Sequence, residues 1–67
     1  MLMLIVQRDK NIMAGPGKEY ITSRIIPKGT LVRHINKYGD WYLVQDNKGK
    51  YFWLSSKDLE LIWREEV

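Results

Sequence analysis

Side chains that could do acid–base, nucleophilic or metal chemistry occur in this sequence, but they are not grouped. The chain has one histidine, His34, and no cysteine, so a zinc site lacks ligands at a suitable spacing. The hydroxyls, such as that of Ser55, have no visible base partner. Four aspartates adjoin predicted turns, where they are expected to bond the backbone: Asp9, Asp40, Asp46 and Asp58. We therefore predict a protein that is not an enzyme and holds no metal or cofactor.

Aromatic side chains are the feature that points to a function. There are three Trp, four Tyr and one Phe in 67 residues, more than one small core can hold, so several are expected at the surface. Trp and Tyr give a large contact area with few rotatable bonds. We expect Trp41 to contact a ligand because it opens a strand after a turn, and we interpret Tyr42 and Trp53 as packing residues. The predicted binding residues are Gly15, Pro16, Tyr20, Trp41, Tyr51 and Phe52.

Turn signals divide the chain into short segments that suit β-strands. Gly, Pro, Asn and Asp cluster between segments rich in β-branched and aromatic residues, a pattern typical of small barrels and sandwiches. The predicted strands are residues 2–7, 20–26, 30–36, 41–45, 50–54 and 59–63. A 3-10 turn is expected from Ser55 to Asp58, because Ser55 can cap the amide of Asp58. The fold class predicted from this pattern is an all-β antiparallel barrel of five to six short strands with one 3-10 turn.

The length of the chain limits it to one domain, spanning residues 1–67. The apolar run at residues 1–6 is too short to cross a membrane, and it lacks the preceding basic segment of a signal peptide. We therefore expect a cytoplasmic protein. Because the chain begins with Met1, we also expect a complete, free-standing protein. The predicted core residues are Ile25, Val32, Val44, Leu54 and Leu59.

The charge balance is mildly basic, with a net charge of +3 and an isoelectric point near 9.3. The cations are spread along the sequence with acidic residues among them. We interpret most of them as a solvated exterior, since dedicated nucleic-acid binders usually cluster their positive charge.

Four segments of the chain resemble the bacterial SH3 (SH3b) family. Residues 11–16 (Asn-Ile-Met-Ala-Gly-Pro) resemble its Asn-Val-Arg-Ser-Gly-Pro signature, and residues 27–30 resemble its Lys-Gly-Thr turn. Residues 39–44 are similar to its Gly-Trp-Tyr-Lys-Val strand, and residues 49–56 to its Gly-Lys-Thr-Gly-Trp-Val-Ser-Ser segment. The chain departs from the family at Met13, Ala14 and Phe52, where the family has Arg, Ser and Gly. The resemblance implies an SH3-like barrel in which the loop at residues 15–17 and nearby aromatic residues border a shallow groove.

Three functions remain open from the sequence. The first is a binding module that docks on a protein or peptide partner, as an adaptor or an inhibitor; an origin in a phage or mobile element is a hypothesis from size alone. The second is nucleic-acid binding by basic residues that share a face with Trp41 or Tyr51; these residues are Arg24, Arg33, Lys48 and Lys50. The third, implied by the resemblance, is the recognition of cell-wall peptides. The sequence does not indicate a membrane partner.

Overall fold

The computed structural model describes residues 2–57 and 59–64 and contains seven β-strands and one 3-10 helix. In chain order, these elements are β1 (Leu2–Val6), β2 (Lys10–Met13), the 3-10 helix η1 (Lys18–Tyr20), β3 (Ile21–Ile26), β4 (Leu31–Tyr38), β5 (Trp41–Gln45), β6 (Tyr51–Ser55) and β7 (Leu59–Arg64). The strands form one antiparallel sheet in the order β3-β2-β6-β5-β4-β1-β7. The predicted all-β antiparallel class is confirmed.

The hairpin of β5 and β6 follows the turn chemistry of its sequence. Asp46 donates its N–H to the carbonyl of Lys50 at 3.0 Å, and Gly49 donates back to Asp46 at 3.1 Å. Gly49 has a φ of 86°, a conformation that glycine adopts without the steric cost of a side chain. The register then pairs Val44 with Phe52 and Tyr42 with Leu54. This turn therefore sets which β6 residues join the core.

Among the described residues, the core contains only apolar side chains, and no polar or charged residue is buried. Its members come from six of the strands and are at most 8% exposed: Leu4, Val6, Ile12, Ile26, Val32, Val44, Phe52 and Leu54. Tyr42 and Leu59 are partly buried and pack against this cluster. The predictions for Val32, Val44 and Leu54 as core residues are confirmed, and Leu59 lies at the margin of the core.

The sheet has to curve around this core. No α-helix or second sheet covers the core face in the part of the chain that the structure describes. A flat sheet would leave that face in water, so the strands must enclose it in a barrel-like arrangement. Strand pairing stays open between β3 and β7, which are the two ends of the strand order.

Three sequence expectations need correction. Ile25 is 59% exposed, and its neighbour Ile26 is buried. The face of β3 that carries Ile26 is the one that points to the core. The 3-10 helix is η1, in the β2–β3 connection, whereas Ser55 belongs to β6 and Asp58 lies outside the described residues. The strand β2 was not predicted; its four residues lie in the segment assigned only to the resemblance.

We expect Leu54→Ala to reduce the free energy of unfolding by about 2–5 kcal/mol, because its fully buried side chain would leave a cavity. Ile25→Ala should change it by less than about 0.5 kcal/mol, as a surface substitution. Urea denaturation followed by tryptophan fluorescence would measure both. Equal losses for the two variants would contradict the register described here.

Candidate functional site

The outward face of the sheet carries a row of apolar side chains that crosses four strands. Ile21 is the register partner of Met13, Met13 of Trp53, and Trp53 of Leu43. Register partners in antiparallel strands lie on the same face. Three of these residues adjoin buried core residues along their strands, and successive side chains alternate between faces. The row therefore faces away from the core.

Further aromatic side chains flank this row on both sides. Trp41 lies two positions before Leu43 in β5 and pairs with Tyr38. Tyr51 lies two positions before Trp53 in β6 and pairs with Gln45. Tyr38 is 68% exposed and Tyr51 60%, whereas Trp41 is half-buried. We call this surface the aromatic face; its residues are Met13, Ile21, Tyr38, Trp41, Leu43, Tyr51 and Trp53.

The composition of the aromatic face matches the buried centre of a protein interface. Such centres are enriched in Trp, Tyr and Met and depleted in Lys, Glu and Asp. The seven residues include two Trp, two Tyr and one Met, and the polar register partners beside them, Asn36, Gln45 and Ser55, carry no charge. A contiguous apolar surface is unusual on a monomer, where exposed apolar residues are normally scattered.

The loop at residues 14–20 lies at one end of the row, because it connects Met13 in β2 to its register partner Ile21 in β3. The N–H of Ala14 donates to the carbonyl of Tyr20 at 2.9 Å and closes the loop. The Tyr20 ring lies over Gly15, where an added Cβ would stand only 2.9 Å from Cγ of the ring. Gly15 therefore allows the close approach of a ring that is itself 47% exposed.

A cleft of about 380 Å³ brings this loop to Trp41. It is lined by Lys18, Asp40, Trp41, Ser55, Ser56 and Lys57. One side of the cleft is fixed by Lys10, whose Nζ donates to the carbonyl oxygens of Ser55, at 3.0 Å, and Lys57. The N–H of Ser56, in the same segment, donates to the carbonyl of Asp40 at 2.8 Å and ties this segment to the turn before Trp41. Lys18, in η1, borders the cleft with Trp41, whereas the predicted binding residues Gly15, Pro16 and Tyr20 are not among its lining residues.

Phe52 does not lie on this surface. It is 8% exposed and belongs to the core, which corrects the expectation that its ring lies beside Trp41. Its bulk, where the SH3b signature has glycine, fills the interior. The reverse holds for Trp53, which was interpreted as a packing residue and lies on the aromatic face. The alternation of Phe52 and Leu54 with Tyr51 and Trp53 was the signal in the sequence that could have assigned these faces.

The polar candidates from the sequence serve local structure. Asp9 Oδ1 accepts the N–H of Lys28 at 2.8 Å, and Asp46 Oδ1 accepts two N–H groups within its own turn. The ring of His34 meets that of Tyr42 edge-on, with centroids 5.2 Å apart. Within residues 2–57 and 59–64, no three His, Cys, Asp or Glu side chains are grouped as metal ligands. The same ranges contain no helix with the length and apolar character needed to cross a membrane.

Charge is divided unevenly along the chain, which the overall balance conceals. Residues 1–57 contain ten of the eleven Lys and Arg residues but only four of the eight acidic ones. The other four acidic residues lie in the last ten positions. Strands β1 to β6 and their connections therefore form a clearly basic body.

Comparisons of the chain with models of protein families, with curated proteins and with solved structures found no match.

We expect Gly15→Ala to destabilise the fold by about 1–3 kcal/mol, because the added methyl group would overlap the base of the Tyr20 ring. In a Tyr20→Ala background the same substitution should be nearly neutral, since the overlap is gone. Chemical denaturation of the four members of this cycle would measure the coupling. Additive effects would show that the Tyr20 ring does not rest on Gly15.

Proposed function

We propose that this protein is a non-catalytic module that docks on a protein partner through its aromatic face. The observation that supports the proposal is the row of four apolar register partners with exposed aromatic residues beside it. A partner that covered this face would remove apolar area from water, which is the main favourable term in most protein association. The Trp residues supply anchors of the kind that dominate binding energy.

The aliphatic members of the aromatic face favour a protein over a nucleic acid. Ile21, Met13 and Leu43 occupy three of the four positions of the row, and none of the three offers a ring on which a base could stack. The cleft next to Trp41 adds polar groups at one edge, as a polar rim does around an interface centre. The resemblance to SH3b modules, which bind ligands without catalysis, supports the same function.

A second candidate function is the binding of single-stranded nucleic acid. Its support is the basic character of residues 1–57, together with the four aromatic residues on one face. Proteins of this kind combine a positively charged surface with aromatic side chains that stack on successive bases. The two candidates differ in how strongly their binding depends on salt.

The docking proposal predicts that Trp41→Ala weakens partner binding by more than about 1 kcal/mol, because a large anchor is lost from the aromatic face. The partner would be isolated with the tagged protein from a lysate of the source organism, purified, and titrated against each variant by calorimetry. Leu31→Ala is the matched control, since Leu31 is also an exposed apolar strand residue, at 48%, but lies outside the aromatic face. A thermal melt of each variant would verify folding. Equal binding by both variants would refute docking through this face.

The same proposal predicts no retention of a labelled oligothymidylate at physiological salt, because Arg33, the register partner of Gln45 beside Tyr51, gives this surface too few phosphate contacts. Fluorescence anisotropy over a range of salt concentrations would measure this. Tight binding that falls steeply with salt and is lost in Trp41→Ala would instead establish the second candidate.

A further inference from the structure

A second surface lies where β3 approaches the turn between β5 and β6. It is a groove of about 300 Å³. Its apolar lining includes the edges of three core residues, Ile12, Ile26 and Phe52, and the exposed residues Ile25 and Pro27. None of these residues belongs to the aromatic face, so the groove needs its own explanation.

Cations border this groove. Arg24, Lys48 and Lys50 line it and are all exposed. The one acidic residue in the lining is Asp46, whose Oδ1 accepts the N–H groups of Lys48 and Lys50, each at 2.9 Å. This carboxylate is therefore engaged in holding the turn that presents the two lysines. The lining has more positive than negative charge and attracts anionic groups.

The groove also runs beside a strand edge. Among the strands that the structure describes, β3 pairs only with β2. The register shifts between Asn11 and Met13, and is regular again where Ile25 and Ile26 pair with Asn11 and Lys10. A strand edge offers main-chain N–H and C=O groups to an added extended peptide. Pro27 follows β3 directly, so only a short segment can pair there.

We propose that this groove binds a short, extended, acidic segment of a partner protein. Alternate side chains of an extended peptide point to opposite sides. One set would place carboxylates against Arg24, Lys48 and Lys50, and the other would place apolar groups on Ile25 and Pro27. Groove-to-groove contact with a second copy of this chain fits poorly, because two cationic rims would repel each other. Nucleic acid fits poorly as well, since Phe52, the one aromatic residue in the lining, is 8% exposed and offers no face for stacking.

A direct test uses a fluorescent decapeptide of alternating glutamate and valine as the probe, with a lysine–valine decapeptide as its counterpart. We expect the folded wild-type protein to bind the acidic peptide, with affinity that falls as salt rises, and not the basic one. The double variant Lys48→Glu/Lys50→Glu should bind at least about tenfold more weakly, because attractive pairs become repulsive. The matched variant Lys18→Glu/Lys37→Glu makes the same change in net charge away from the groove. Its affinity for the acidic peptide should fall by less than about threefold, because the changed charges act on the groove only over a long distance.

Amide chemical shifts would locate the bound peptide. Shifts at Arg24, Ile25 and Lys50, with none at Tyr38 and Trp41, would support the groove and separate it from the aromatic face. The proposal is overturned by failure of the folded wild type to bind the acidic peptide, or by equal losses in the two double variants. It is also overturned if oligothymidylate binds more tightly than the peptide and is lost in Lys48→Glu/Lys50→Glu. None of these outcomes depends on the role of the aromatic face, which Trp41→Ala tests separately.

Discussion

Burial of an apolar core by a single sheet is the constraint on which the rest of this structure depends. With no α-helix or second sheet against it in the described residues, the sheet must supply both the core and the wall around it. Val32, Val44 and Leu54 are at most 1% exposed, so the enclosure is effective at the centre. A domain of this size buries only about 60% of the surface that its unfolded chain exposes. A change in which face of a strand is buried would therefore cost a large part of the stability.

The same constraint produces the aromatic face. In a strand, the side chains on either side of a buried residue must point outward. Burial of Phe52 and Leu54 therefore places Trp53 outside, and burial of Val44 places Leu43 outside. Large apolar side chains at these outward positions do not add to the core. The docking proposal accounts for their size through contact with a second molecule.

The sequence predicted the parts of this structure that depend on local chemistry. Alternating apolar residues and the Asn47–Gly49 turn were enough to assign the β5–β6 hairpin and the burial of Val44 and Leu54. They were not enough for β3, where Ile25 and Ile26 are adjacent and chemically equal. Only the pairing of Ile26 with Lys10 and the curvature of the sheet decide which of the two is buried. Alternation could have assigned the face of Trp53, but its neighbours on that face, Leu43 and Met13, depend on register, which is a tertiary property.

The strand that sequence analysis did not predict, β2, connects the two candidate surfaces. Ile12 lines the cationic groove and its neighbour Met13 lies on the aromatic face, because adjacent residues in a strand point to opposite sides. The register pairs β2 with β6 at one position, Met13 with Trp53, and the Lys10 ammonium adds a contact with the end of β6. Such short pairing gives a weak signal in the sequence, since four residues show little periodicity. It also makes Met13 the register position that joins β2, and through β2 the strand β3, to β6. The geometry of both surfaces therefore depends on one short strand that contributes a single residue to the core.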